Sequence, residues 1–163
     1  GKKMIVAYEG EKTTDLLSPR QYGLGQTHKH LPEIVTICHL ADKPMFSPIV
    51  DDYYSGMEVT VPVFTKLLKG APGIQDVWET LAAHYDGCDF IHVRPLGEDK
   101  GGFLAANDMS GRDDMEIFVT GNDQRILLTS IFDNLGKGAS GAAIENMNIM
   151  LGIDPKTGLN LGD

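Results

Sequence analysis

The sequence predicts an α+β domain whose mixed, largely antiparallel sheet is covered by helices on one face. Segments typical of strands are separated mainly by turns, about three segments have helical spacing, and no βαβ unit repeats. The chain has 163 residues, of which 42% are apolar, so it is long enough to bury one substantial core. We therefore expect residues 1–163 to form a single domain.

One helix and two extended segments are predicted in the first part of the chain, after a short apolar run at Met4–Tyr8. Apolar residues recur every three or four positions over Leu31–Ala41, which predicts a helix that begins just after His28-Lys29-His30. Pro44–Val50 and Met57–Phe64 are expected to be extended. Pro62 cannot donate to a sheet, so the second of these predicts an edge strand or a bulge.

In the middle of the chain, the sequence pattern predicts a helix followed by two short strands. The helix begins at Ile74, after a turn at Gly70–Gly73, and ends near Gly87. Asp89–Arg94 alternates apolar and polar residues and is expected to be a strand. Gly101–Ala106 is predicted to be another.

The last third predicts an antiparallel hairpin and a helix. Asp114–Thr120 pairs naturally with Gln124–Phe132 across a turn at residues 121–123. A glycine-rich segment then leads into a helix that extends to Met150. A turn at Asp154–Gly158 ends the predicted structure.

Charge excludes several classes of partner. The formal net charge is -9, with 14 basic against 23 acidic residues, so phosphate backbones and anionic lipids are repelled. No apolar run is long enough to cross a membrane, and Glu9 interrupts the first apolar run before a signal-peptide core can develop. We expect a cytoplasmic protein that binds neither nucleic acid nor membrane. Cys38 and Cys88 are expected to be buried thiols.

The densest group of reactive side chains lies between Tyr22 and Glu33, where two imidazoles, an ammonium, a carboxylate and a phenol occur within twelve residues. A histidine exchanges protons near neutral pH, and a nearby carboxylate can raise its basicity. His28 and His30, just before a helix, are therefore candidates for acid–base chemistry. Two alternatives stay open. The histidines are polar loop residues beside a first-turn carboxylate, or they bind a metal together with further ligands from Glu33, Cys38 or His39.

A second candidate is the glycine-rich segment from Asp133 to Ala143. Glycines allow close approach of the backbone, and free amides at a helix start, aided by Lys137, suit an anion such as phosphate. The spacing is not that of a P-loop. The alternative is a small-residue helix packed tightly on the sheet. His84 and His92 are expected to be structural or surface residues.

Two long motifs, taken together, resemble one enzyme family. These are His28-Lys29-His30-Leu31-Pro32-Glu33-Ile34 and Asp133-Asn134-Leu135-Gly136-Lys137-Gly138-Ala139-Ser140-Gly141, which continues to Gly152. Their order and spacing are similar to those of N-acetyl-γ-glutamyl-phosphate reductases, and the segment Thr157-Gly158-Leu159 is similar to the end of that family.

The resemblance implies an enzyme of arginine biosynthesis that uses NADPH to reduce an acyl phosphate to a semialdehyde. In such enzymes a cysteine thiolate displaces phosphate to form a thioester, hydride from the nicotinamide reduces it, and a histidine manages the protons. The residues that this resemblance assigns are His28 as the acid–base histidine, Tyr22, His30, Glu33 and Lys137 at the substrate, and Asn134, Gly138 and Ala139 at the cofactor. No metal is implied, and a homo-oligomer is expected.

The family's nucleotide motif and its Gly-Cys-Tyr-Pro segment are missing, and neither cysteine of this chain has the setting of the nucleophile. We therefore expect an excised catalytic and dimer-forming domain, inactive alone, with NADP(H) bound mainly by an absent amino-terminal domain. Ser55 stands where the family often has arginine, and Glu145 where glutamine is usual. The competing hypotheses are a binding or assembly module without catalysis, and a related aspartate-semialdehyde dehydrogenase, whose motifs around the histidine differ.

Overall fold

The computed structural model describes residues 2–162, and the chain divides into two compact units, Gly1–Tyr53 and Tyr54–Asp163. No helix within residues 2–162 has the length and apolar character needed to cross a membrane.

The first unit contains two α-helices and one short antiparallel strand pair. Helix α1 spans Lys2–Glu9 and includes the first apolar run. Strand β1, Arg20–Gln21, pairs with β2, Ile49–Val50. Helix α2, His30–Ile37, lies between them in sequence and buries Leu31.

Helix α2 begins almost where the sequence predicts but ends four residues earlier than the predicted end at Ala41. His39 adopts a left-handed backbone with φ of 52°, and the Leu40 N–H bonds the Val35 carbonyl. A left-handed residue is a common way to end a helix, and spacing of apolar residues alone does not reveal it.

The second unit contains a four-stranded sheet in the order β3-β6-β5-β4. Its strands and helices are β3 Met57–Phe64, α3 Ile74–His84, β4 Ile91–Val93, β5 Met115–Asn122, β6 Arg125–Phe132 and α4 Gly141–Leu151. Strand β6 pairs antiparallel with both β3 and β5, whereas β4 and β5 are parallel. The predicted α+β class and mixed, largely antiparallel sheet are confirmed. Cover by helices on one face stays a prediction.

The β5–β6 hairpin is confirmed with a tighter turn than predicted. Asn122 pairs with Arg125, so only Asp123 and Gln124 form the turn. The Asn122 side-chain oxygen accepts the N–H groups of Gln124 and Arg125 at 3.0 and 3.1 Å. Asp123 also accepts the Ile74 N–H at 3.0 Å, which ties the turn to the start of α3.

The predicted strand at Gly101–Ala106 is wrong, because this segment consists of turns and irregular structure. Lys100, Gly101 and Gly102 all have positive φ, at 50°, 77° and 88°. Three successive left-handed residues cannot continue a strand. Further along the chain, Met109 packs with Phe118 and Ile131 to form the core, against which Leu104 also packs.

Strand β3 forms one edge of the sheet, as Pro62 predicts. The register places Met57, Val59 and Val61 on one face, and these three side chains are 40 to 52% exposed. This part of the sheet is therefore apolar and uncovered within the described chain.

Candidate functional site

His28 lies in the loop just before α2, where the sequence predicts it. A turn from Gly23 to Gln26 is closed by the Gln26 N–H, which bonds the Gly23 carbonyl at 3.0 Å. Both of these residues have positive φ, at 65° and 52°. The chain then extends to Lys29 and enters the helix at His30.

The Gln26 side chain joins this loop to the segment before β2. Its Nε2 donates to the Phe46 carbonyl at 2.7 Å, and its Oε1 accepts the Phe46 N–H at 3.0 Å. The Phe46 ring thereby lies against His28, with 4.9 Å between ring centroids. Sequence reasoning assigned no role to Gln26 or Phe46, because this pairing joins residues twenty positions apart.

Two other predicted residues surround the His28 ring. His30 lies edge-on at 4.7 Å and Tyr22 at 6.0 Å between centroids. The Nδ1 atom of His28 accepts the His30 backbone N–H at 3.3 Å. The His30 imidazole is half exposed, and its Nε2 lies 4.0 Å from a Glu33 oxygen. The structure thus groups Tyr22, His28, His30 and Glu33 within the first unit.

Asp133 organises the second candidate segment, at the end of β6. Its Oδ1 accepts hydrogen bonds from the backbone N–H groups of Leu135 and Gly136, at 2.6 and 3.1 Å. Its Oδ2 accepts the Gly111 backbone N–H at 2.5 Å and the Ser55 hydroxyl at 2.9 Å. The side chain is only 3% exposed. Burial alone raises the pKa of Asp133, but these four hydrogen bonds outweigh it and hold the pKa below its ordinary value.

This arrangement was missed in the sequence, although an aspartate followed by a turn is a known signal. Aspartate side chains often accept backbone N–H groups two residues further along the chain. The Asp133 contact also fixes the position of the Ser55 side chain. Its hydroxyl bonds both Asp133 and, at 2.5 Å, the hydroxyl of Ser110.

The glycine-rich segment is a π-helical turn, Gly136–Ser140, that continues directly into α4. Two of the amides expected to be free are occupied, since the Gly138 N–H bonds the Asp133 carbonyl and the Ser140 N–H bonds the Leu135 carbonyl. Gly138 and Ala139 are exposed. Asn134 lies at the start of the turn, where its Oδ1 accepts the Gly56 N–H at 2.8 Å.

Lys137 projects from this turn to an internal partner. Its Nζ lies 2.6 Å from a Glu145 oxygen and 4.7 Å from the centroid of the Phe90 ring. The Lys137 side chain is 13% exposed and that of Glu145 is 20% exposed. The ammonium therefore already has a counter-ion, so an anionic ligand at Lys137 would compete with Glu145.

His92 belongs to a charged group at the sheet. Its Nε2 lies 3.1 Å from Asp114, which is fully buried and also accepts two hydrogen bonds from Arg112. The pairing with Asp114 raises the pKa of Arg112. His84 is exposed on α3. These positions agree with the structural and surface roles expected for the two histidines.

The cysteines differ from expectation. Cys38 is exposed and Cys88 is half-buried, so the prediction of two buried thiols is wrong. Cys38 follows the last residue of α2, on a short helix of which only Leu31 is buried. No cluster of three or more histidine, cysteine, aspartate or glutamate side chains suited to a metal ion occurs within residues 2–162.

These features define a chain of the α+β class, and each of its two units holds reactive side chains where a loop meets a helix. The family model described as the semialdehyde dehydrogenase dimerisation domain matches residues 1–134. The chain belongs to this family.

Similar proteins include the N-acetyl-gamma-glutamyl-phosphate reductases of Brucella ovis, Brucella canis and Brucella suis. Each is 41% identical over 157 residues, which cover 93% of this chain and 51% of the relative. The chain thus spans about half the length of the curated relatives it matches.

Proposed function

We propose that this chain is the catalytic and dimer-forming domain of an N-acetyl-γ-glutamyl-phosphate reductase. The complete enzyme reduces N-acetyl-γ-glutamyl phosphate to N-acetylglutamate semialdehyde with NADPH. The observation that carries the proposal is the likeness to reductases of that name over nearly the whole chain, combined with a half-buried imidazole at the motif histidine. Residues 1–163 act together as one catalytic domain.

His28 is the proton carrier in this proposal. It lies in a loop held by backbone and side-chain hydrogen bonds, and such a setting keeps a reactive group at a constant position. A positioned imidazole also favours the thiolate form of a nearby cysteine, which is the nucleophilic form. In this proposal, that cysteine lies in the half of the reductase length that this chain does not cover.

The predicted substrate residues have separate roles in this proposal. Tyr22, His30 and Glu33 surround the substrate beside His28, and Lys137 attracts the phosphate group. Because Glu145 already pairs with Lys137, an anion binds this lysine by displacing the Glu145 carboxylate or by sharing the ammonium with it. Phosphate carries more charge than one carboxylate, so it can compete for the ammonium.

Asn134, Gly138 and Ala139 are proposed to contact the nicotinamide cofactor, whose hydride reduces the substrate when it is bound. The exposed, small residues at Gly138 and Ala139 allow a planar ring system to approach the backbone. Because both residues are exposed, they can contact one side of the cofactor but do not enclose it. This supports the proposal that NADP(H) is bound mainly by an amino-terminal domain.

The test uses the longest reading frame that contains these residues, assayed by NADPH oxidation with N-acetyl-γ-glutamyl phosphate. We expect turnover, and His28→Ala should lower it by about a hundredfold to ten-thousandfold, the usual contribution of acid–base catalysis. His84→Ala is the matched control, because that imidazole is exposed on α3. Equal losses for the two variants would contradict the assignment.

The same assay separates the competing functions. Preferential reduction of aspartyl phosphate would favour the related aspartate-semialdehyde dehydrogenase. A reading frame without a Gly-Cys-Tyr-Pro segment and without turnover would favour a binding or assembly module. Turnover by residues 1–163 alone would disprove the claim that essential groups lie elsewhere.

A further inference from the structure

Three basic residues of the Tyr54–Asp163 unit lack an ion pair. Eight lysines and arginines lie in this unit, and five of them pair with carboxylates: Arg94, Lys100, Arg112, Lys137 and Lys156. Among the residues that the structure describes, no carboxylate pairs with Lys66, Lys69 or Arg125. Two of these follow the end of β3 and the third begins β6, so unpaired positive charge is concentrated at one end of the sheet.

The backbone holds two of these cations in a fixed relation. Arg125 lies directly opposite Phe64 in the pairing of β6 with β3. The next residue of the chain, Thr65, is buried, and its N–H and hydroxyl donate to carbonyls of the hairpin turn at 3.2 and 2.7 Å. Lys66 follows Thr65 directly. Lys66 and Arg125 therefore project from backbone that is joined by hydrogen bonds, although they are far apart in the sequence.

Both cations line a cavity of about 470 Å³, together with Phe64, Thr65 and Gln124. This volume lies in the range of small-molecule sites, about 300–1,000 Å³. The Phe64 ring is 52% exposed, and the Lys66 Nζ lies 5.7 Å from its centroid. The five lining residues thus provide an ammonium, a guanidinium and an accessible aromatic ring, and they carry no carboxylate.

The carboxylate nearest to Arg125 in the sequence is held elsewhere. Asp123 Oδ1 accepts the Ile74 N–H at 3.0 Å, at the start of α3, and forms no ion pair with Arg125. A bound anion would therefore supply a counter-charge that the described chain does not. Guanidinium and ammonium groups bind carboxylates and phosphates through charge-assisted hydrogen bonds. The net charge of -9 disfavours long polyanions, so a small anion fits this surface best.

We propose that this cavity, the Lys66–Arg125 site, binds a small organic anion that carries an aromatic group. The charged group of the ligand lies between the two cations, and its aromatic group packs on Phe64. Aromatic rings attract each other in offset and edge-on contacts, and the exposed Phe64 surface is covered by such a contact. This binding goes beyond the proposed function and requires no turnover.

The test is a titration followed by ¹H–¹⁵N correlation NMR of the backbone amides, with three probes. Phenyl phosphate carries both the charge and the ring, inorganic phosphate carries only the charge, and phenol carries only the ring and is neutral at about pH 7. We expect phenyl phosphate to cause saturable shifts at the amides of Thr65, Lys66, Gln124 and Arg125. Its affinity should exceed that of inorganic phosphate about twofold to tenfold, and phenol should give no saturable shift.

Three variants separate the contributions of charge and ring. Lys66→Gln and Arg125→Gln should each weaken phenyl phosphate binding about twofold to fivefold, the usual range for exposed charge pairs. Phe64→Thr should remove the preference for phenyl phosphate over inorganic phosphate. Lys43→Gln is the matched control, because Lys43 is also exposed and lies outside the cavity, and its replacement should leave the affinity unchanged.

Two results would overturn the inference. One is the absence of saturable shifts at the four amides with phenyl phosphate at about 10 mM, which the unaltered protein alone can show. The other is an unchanged affinity in both Lys66→Gln and Arg125→Gln. Each amide reports its own surroundings, so phosphate bound at Lys137 is observed separately. No turnover is measured, and the result therefore stands apart from the enzyme assay.

Discussion

At Asp133, a single carboxylate joins the end of β6 to two other segments of the second unit. It accepts hydrogen bonds from Gly111, Leu135, Gly136 and Ser55 while almost fully buried. Replacing such an acceptor leaves buried donors without partners, which costs about 1–3 kcal/mol. We therefore expect Asp133→Asn to lower the free energy of unfolding by an amount in that range.

The lowered pKa of Asp133 gives this effect a pH dependence. Its ionised form is favoured more in the folded than in the unfolded chain, so the stabilisation is present above an unfolded pKa of about 3.9. It is lost as the pH falls through the lower folded pKa. Urea unfolding measured between about pH 6 and about pH 3 gives the free energy of unfolding of wild type and of Asp133→Asn. The difference between these two free energies should become smaller below about pH 4.

Asp86→Asn is the control, because Asp86 is exposed and its replacement leaves no buried donor unsatisfied. If the difference in the free energy of unfolding between wild type and Asp133→Asn stayed constant with pH, the Asp133 carboxylate would not be ionised in the folded protein.

Glu145 permits a second test on a single side chain. It is the counter-ion of Lys137 at 2.6 Å, so an anion at Lys137 must compete with it. Glu145→Gln keeps the shape and removes the charge, and we expect phosphate affinity to rise about tenfold, equivalent to about 1.4 kcal/mol. Calorimetric titration with inorganic phosphate measures this. The double variant Lys137→Gln, Glu145→Gln should lose the gain, and unchanged affinity in Glu145→Gln would remove Lys137 from the proposed site.

At the scale of elements, the start of α4 depends on glycines that allow close contact. A Cβ at Gly141 would overlap Asp113 Oδ1 and approach the Gly136 carbonyl carbon at 2.8 Å. Gly141→Ala is therefore expected to lower the free energy of unfolding by about 1–3 kcal/mol, despite the higher helix propensity of alanine. Thermal or urea unfolding measures the loss.

Gly25→Ala serves as the matched control, since its new Cβ would meet only Thr27 Oγ1 at 3.8 Å. A stabilised Gly141→Ala variant would show that helix propensity outweighs packing at this junction.

For the whole molecule, the exposed apolar face of β3 is the surface we expect to be covered in the oligomer. The family is described as a dimerisation domain, and Val59 and Val61 are 43 and 52% exposed at the sheet edge. Val61→Lys should shift the protein toward monomers, because an interface that buries an unpaired charge is strongly disfavoured. Sedimentation velocity measures the distribution. Ala83→Lys, on an exposed position of α3, is the control and should leave it unchanged.

Local sequence patterns predicted the elements that depend on neighbours in the chain. The spacing of apolar residues located α3 at its observed first residue, and alternation located β3 and the β5–β6 hairpin. Predictions were wrong where backbone conformation decided the outcome. Positive φ at His39 ended α2 early, and positive φ at Lys100 to Gly102 replaced a predicted strand by turns.

The sequence by itself determined the fold class, the family and the two segments that hold candidate reactive groups, because each depends on residue types at short, regular spacing. Only the tertiary structure decided how those groups are held. The Gln26–Phe46 hydrogen bonds, the contacts of Asp133 with Gly111 and Ser55, and the Lys137–Glu145 pair join residues brought together by folding. Hydrogen bonds act over about 3 Å in space, whatever the separation along the chain, so no local pattern could have revealed them.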